Sequence, residues 1–158
     1  MTRTRARGPR GQRIVCKTPH GHWKIIRTIA AMNASGILTA CSFDGATDTE
    51  MFVAFVGEFL VPRLTAGQVV VLDNLAPHKS PRVDALIEAV GAKVLRLPPY
   101  SPDYNPIEMA ISKMKGVLRT RAERTVETLY DALGEATLSI TATDARNFIQ
   151  HCNYATVE

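Results

Sequence analysis

Two short apolar runs, Gln68–Asp73 (QVVVLD) and Ala92–Leu97 (AKVLRL), flank a segment with helical periodicity. Both runs are continuous rather than alternating, the pattern of strands buried on both faces of a parallel sheet. Between them, Ser80-Pro81 reads as an N-cap followed by proline at the first helical position. Val83, Leu86, Ile87 and Val90 then share one helical face, and Gly91 closes the helix. Strand, helix, strand in this order predicts parallel pairing through a right-handed crossover, and so an α/β architecture.

The flanking segments extend this unit. "HWKIIRTIAAM" and "GILTACSF" are β-rich and split by Asn33-Ala34-Ser35-Gly36, which predicts an antiparallel hairpin at the edge of the sheet. "ATDTEMFVAFVGEFLVPRL" reads as a helix, with a Thr47-x-x-Glu50 capping box and apolar Phe52, Phe55, Phe59 and Leu60. After Leu97 the chain stiffens: "LPPYSPDYNPIE", Leu97 to Glu108, carries four prolines in twelve residues. Prolines fix φ and remove donors, so this is a rigid connector and not a strand or a helix interior. A helix from Pro106 to about Thr120 follows, then further helix from "TVETLYDALGEATLSI" towards the C-terminus. The expected order is β-β-α-β-α-β-α-α in a single domain over residues 1–158.

Charge is unevenly placed. From Met1 to Phe43 the chain has eight bases (Arg3, Arg5, Arg7, Arg10, Arg13, Lys17, Lys24, Arg27) and no acid, leaving 11 of the 19 bases against all 15 acids. A second basic group, Lys113, Lys115, Arg119, Arg121 and Arg124, follows Glu108. Clustered cations are the footprint of a polyanionic partner, although a basic terminal run can also be a solvated tail. No apolar run of membrane-spanning length is present, and no apolar stretch after the basic N-terminus suggests a secretory signal. Cys16, Cys41 and Cys152 form no C-x-x-C pair and read as reduced thiols of a cytosolic protein.

Two carboxylates stand out. Asp73 ends a strand at the edge where open α/β sheets place their sites, with Asn74, His78 and Lys79 in the loop beyond; aspartate also suits turns. Glu108 follows Asn105 and Pro106 at the third helical position, where a capping-box glutamate belongs. Ile107, Ala110, Ile111, Met114, Val117 and Leu118 form the apolar stripe of that helix, while Glu108, Ser112, Lys115 and Arg119 share an exposed face. Glu108 is therefore readable as a cap, as an intrahelical ion pair or as a metal ligand, and spacing alone leaves all three open. His20 and His22 around Gly21 show no ligand partners, and Ser42 and Ser101 show no base that would make either a nucleophile.

With 34 residues between Asp73 and Glu108, "VVVLDNLAPHKS", "LPPYSPDYNPIE" and "SKMK" together resemble the catalytic core of mariner-type DDE transposases, nearest to the bacterial insertion-sequence 630 family. "PRGQR", "HGHWK", "FDGATDTEMF" and "HCNY" extend the resemblance over essentially the whole chain. It implies an RNase H-like mixed sheet with flanking helices, and three carboxylates around two Mg²⁺ ions, Mn²⁺ being an alternative. It also implies cleavage and transfer of DNA strands, with DNA at the element ends and the target as partner. A homodimer is the implied working assembly, with an upstream-encoded helix-turn-helix segment as a further partner and the bacterial cytoplasm, at the nucleoid, as the location. Asp73 matches the second acid and Glu108 the third. The DNA-contacting set expected from charge and from this match is Arg3, Arg5, Arg7, Arg10, Arg13, His78, Lys79, Lys113, Lys115 and Arg119.

Two departures accompany the match. The family's first acid lies on an opening strand, in the middle of the sheet, that precedes the equivalent of "RGPRGQR", and no acid precedes Asp44 here. Asp44 lies about 14 Å away by strand count, too far to substitute, and Asp48 suits a helix start. The expectation is thus a fold without its first strand and a chain that is inactive by itself, or else a non-catalytic DNA-binding remnant. Three outcomes are open for the missing position: "RIVCK" fills it, the two halves close directly, or the open edges associate; the expected one is a marginal, association-prone protein. The second departure is Ile111, where relatives commonly carry tryptophan; it preserves the apolar face.

Overall fold

A computed structural model describes residues 7–15 and 24–154. The antiparallel hairpin consists of β1 (Ile26–Asn33) and β2 (Gly36–Asp44), with a register shift between Ala31 and Met32. Its turn follows from two residues. Asn33 Oδ1 accepts the Ser35 N–H at 2.9 Å, and Gly36 sits at φ +130°, which a residue with a Cβ rarely adopts. A Cβ on Gly36 would also come within 2.9 Å of the Ile140 carbonyl, so the hairpin tip abuts the helical layer at that point.

The next helix begins one residue later than the Thr47 capping box predicts. Asp48 is the cap, its Oδ1 accepting the Met51 N–H at 2.9 Å, and Glu50 instead meets Arg82 Nη1 at 2.5 Å. This is α1 (Thr49–Phe55), and it widens into a π-turn over Val56–Leu60 before a 3₁₀ turn at Val61–Arg63. The change of pitch coincides with Pro62, whose missing N–H and ring are incompatible with a regular α ladder.

The strand–helix–strand unit forms as the sequence predicts. β3 (Val69–Leu72) and β4 (Lys93–Arg96) pair in parallel, Val69 opposite Lys93, with α2 (Pro81–Glu88) between them. Neither strand is buried on both faces, however. Val69 is 55% and Leu95 47% exposed; within the pair Leu72 alone is buried, with Val70 and Val94 partly buried against the same cluster. The reason lies in the sheet: β1–β2 and β3–β4 are two separate two-stranded sheets among the described residues. Each strand therefore has a partner on one side only. Arg13–Val15 of "RIVCK" are not in a strand, and Cys16 and Lys17 lie outside the described residues, as do His20, His22 and Trp23.

Two apolar clusters hold the layers together. Ile29 of β1, Phe52, Phe55, Val56 and Leu60 of the first helical run, Leu72, and Val83 and Ile87 of α2 make one. Ala110, Met114 and Leu118 of α3 (Pro106–Arg121), Ala132, Leu133 and Ala136 of α4 (Val126–Leu138), and Ile140 make the other. The hairpin lies between them: Ala31 and Cys41 pack on the first cluster, Ile26 and Ile37 on the second. Alternation along the strands thus serves two cores at once. Overall this is a mixed α/β fold with flanking helices, as expected.

The C-terminal helical stretch divides at Ser139–Ile140, and α5 (Ala142–His151) starts with a capping box in which Thr141 and Asp144 bond reciprocally. Lys113 of α3 reaches the same carboxylate at 2.6 Å. Hydrogen bonds from Lys113 and then Thr141 hold Asp144 at about 2, below the ordinary 3.8. A depressed carboxylate stabilises the fold fully above its unfolded value and loses that contribution as pH falls through its folded one. Wild type and Asp144→Asn should therefore differ in melting temperature most at neutral pH. The difference should shrink between pH 3.8 and about 2, and a difference independent of pH would contradict this assignment.

Candidate metal and nucleic-acid site

Asp73 leaves β3 directly into a turn. Its Oδ1 accepts the Leu75 N–H at 3.0 Å, which fixes the carboxylate relative to the backbone of its own loop. The turn leads into a 3₁₀ segment, Ala76–Lys79, which brings His78 back onto the aspartate. His78 Nδ1 comes to 2.5 Å from Asp73 Oδ1, yet that nitrogen is buried and lacks an aligned hydrogen bond. The imidazole lies on Phe52, with ring centroids 4.1 Å apart, and its side chain is only 18% exposed. Arg96 locks the segment from behind, donating to the His78 carbonyl at 2.7 Å and to Asp84 Oδ1 at 2.5 Å. Burial pushes His78 below the usual 6.5, with Asp73 opposing and Arg96 reinforcing the shift, so the ring is neutral at physiological pH.

Glu108 arrives from the other side, on the connector. Asn74 Nδ2 donates to the Leu97 carbonyl, and the Leu97 N–H bonds to the Leu72 carbonyl at 2.9 Å, which fastens the start of the connector to the end of β3. Near its far end the Tyr154 hydroxyl donates to the Tyr104 carbonyl at 2.8 Å. Burial, with Cys152 beside it, raises the Tyr154 hydroxyl above 10, so it stays a donor. The prolines stiffen the segment, and these two side chains pin it.

The local roles open to Glu108 are not taken up. The Asn105 side chain makes no cap bond, and the Asn105 N–H goes to the Pro102 carbonyl at 2.9 Å, so no capping box forms. Among the described residues Glu108 has neither an ion pair nor a side-chain hydrogen bond. Asp73 and Glu108 instead line a common cleft of about 410 Å³ with Lys79, Asn74, Leu75 and the connector residues Pro98 to Pro102. Glu108 also borders a smaller cavity of about 210 Å³ towards His151 and Cys152.

The fit to a cation can be judged from these donors. Two carboxylates face one cleft, Glu108 with no competing partner among the described residues and Asp73 with Oδ2 uncommitted, its Oδ1 lying 2.5 Å from the buried His78 Nδ1. Hard oxygen donors of this kind suit a divalent cation that keeps several waters. No group of three His, Cys, Asp or Glu residues able to hold a metal occurs among the described residues.

The expected DNA-contacting residues separate into groups. Arg3 and Arg5 lie outside the described residues, and Arg7, Arg10 and Arg13 are exposed. Lys79 is exposed at the cleft, while His78 is turned inward against Phe52. Lys113 is engaged with Asp144, and Arg121 with Glu123 and Glu135. Lys115 and Arg119 make no ion pair among the described residues. Asp44 lies 3.9 Å from Lys24, and the Ser42 hydroxyl meets Thr28 across the hairpin at 2.8 Å, so neither joins the cleft. Cys41 and Cys152 are free thiols. The anchors Asn74 and Tyr154 were not identified as site residues from sequence. Their only signals are the asparagine that follows Asp73 and the tyrosine that ends "HCNY".

No helix among the described residues is long and apolar enough to cross a membrane. No curated protein matches the chain. The DDE superfamily endonuclease family matches over residues 1–130, a span that holds the hairpin, the parallel strands, the connector and both cleft carboxylates, and the chain belongs to that family.

Proposed function

We propose that this chain is the catalytic domain of a mariner-type DDE transposase, of the insertion-sequence 630 kind, acting on DNA at element ends and target. The observation that carries the reading is the shared cleft: Asp73 and Glu108, far apart in sequence, line one concavity with Lys79, and no local partner consumes Glu108. Asp73 and Glu108 are the proposed metal ligands, with Mg²⁺ as cofactor and Mn²⁺ as its substitute. When bound, such ions activate a water or a 3′-hydroxyl and stabilise the leaving oxygen of a phosphodiester.

The chain's own residues do the positioning. The Leu75 N–H and His78 hold Asp73 in one orientation, with Phe52 packed on the imidazole and Arg96 bonded to the His78 backbone carbonyl. Asn74 and Tyr154 hold the connector that delivers Glu108. Lys79, exposed at the cleft, attracts phosphate there, and Lys115, Arg7, Arg10 and Arg13 are further exposed cations that, with Arg119, Arg3 and Arg5, complete the proposed DNA-contacting set. A homodimer, an upstream-encoded helix-turn-helix segment and a bacterial cytoplasmic location complete the reading.

A second reading, a DNA-binding remnant without catalysis, is favoured by one observation: Asp73 and Glu108 are the two acids that line the cleft, and no third carboxylate among the described residues joins them. Incubating the purified chain with Mg²⁺ or Mn²⁺ and end-containing DNA should give no strand cleavage above a Glu108→Ala control. Robust cleavage that depends on Glu108 would show that two acids suffice. A chain extended by an upstream reading frame that encodes an aspartate should cleave, and lose cleavage on Glu108→Ala. Inactivity of that longer chain would favour the remnant.

A further inference from the structure

Tyr100 is the most exposed large hydrophobic residue described in the protein, at 103% of its reference area, and it stands on the rim of the cleft that holds Asp73 and Glu108. Its backbone lies at φ +56°, a left-handed conformation that aromatic residues seldom adopt and that glycine would occupy without strain. Among the described residues no aromatic neighbour stacks on it. Folding therefore gains nothing from this ring and is opposed by its backbone. Pro98 and Pro99 before it and Pro102 after it hold the presentation rigid, while the Asn74 bond to Leu97 anchors the segment. Leu75, 58% exposed, lines the same cleft, as does Lys79.

A fully presented ring and an apolar side chain, beside a cation and two carboxylates, match one chemistry: a flat unpaired base attached to a phosphate. We infer that Tyr100 stacks on an unstacked nucleobase next to the phosphate held in the cleft, so that the site takes a single-stranded or locally opened strand. The inference rests on the nucleic-acid reading of this cleft and adds to it what is recognised beyond phosphate. Stacking on an aromatic side chain tolerates any base, so the contact selects strand state and not sequence.

The test compares binding of a short single-stranded oligonucleotide and its abasic counterpart to the full chain by fluorescence anisotropy, with Ca²⁺ present. Wild type should prefer the base-bearing strand by about fivefold or more. Tyr100→Ala should lose that preference while keeping its affinity for the abasic strand, and Tyr100→Trp should restore it. Tyr100→Gly, which relieves the left-handed backbone, should melt no lower than wild type yet also lose the preference, which separates recognition from folding. Preference retained in Tyr100→Ala, or absent in wild type that binds both strands, overturns the stacking alone. Failure of wild type to bind either strand overturns the nucleic-acid reading and the stacking with it.

Discussion

Asp73→Asn and Glu108→Gln should each lower the affinity of the protein for Mn²⁺ about tenfold or more, roughly 1.4 kcal/mol, by isothermal titration calorimetry. The structure gives a reason to expect coupling as well as loss. Both carboxylates line one cleft, and Glu108 has no described partner except what enters that cleft. If a single cation bridges them, the double variant should lose little more than either single one, because the first substitution already removes the shared interaction. Losses that simply add would place the two acids at separate sites. Unchanged affinity in Glu108→Gln would return that residue to the role of a solvated helix glutamate. A Glu58→Gln variant, on the unrelated first helical run, serves as the control for net charge.

The second large effect concerns association. With β1–β2 and β3–β4 unpaired to each other among the described residues, each sheet presents free edges, and β3 presents Val69 at 55% exposure. A backbone group buried without a partner costs about 1–3 kcal/mol, so a few of them rival a total stability of about 5–15 kcal/mol. Open, apolar strand edges recruit other strands. The protein should therefore form concentration-dependent oligomers in sedimentation velocity runs and melt over a broad range. Val69→Lys, which charges the β3 edge without touching the buried core, should shift the distribution towards monomer. A wild-type chain that stays monomeric and melts cooperatively at an ordinary mesophilic temperature would show that the two sheets satisfy their edges without a further strand.

The strand–helix–strand unit, the hairpin and the helix that carries Glu108 were legible in the residues, because each depends on local signals. Asn33 and Gly36 make the turn, Pro81 opens α2, Pro106 opens α3, and apolar periodicity sets the faces. Where a neighbouring residue competes for the same role, local pattern misplaces the detail. Asp48 captured the cap predicted for Thr47, since a carboxylate one residue later reaches the Met51 N–H, and Glu50 was left for Arg82.

The apolar run QVVVLD specified a strand but not its burial, because burial depends on what lies across each edge and face, and β3 has a partner on one edge only. Sequence likewise fixed the identities of Asp73 and Glu108 but not their relation. Whether Glu108 capped its helix, paired along it or faced Asp73 differed by side-chain geometry that one helical spacing accommodates equally. The tertiary structure decided that the Asn105 N–H bonds to Pro102, that Asn74 and Tyr154 pin the connector, and that both carboxylates open onto one cleft. The Asn74 and Tyr154 bonds join residues 23 and 50 positions apart, and no local rule of propensity or periodicity encodes contacts of that separation.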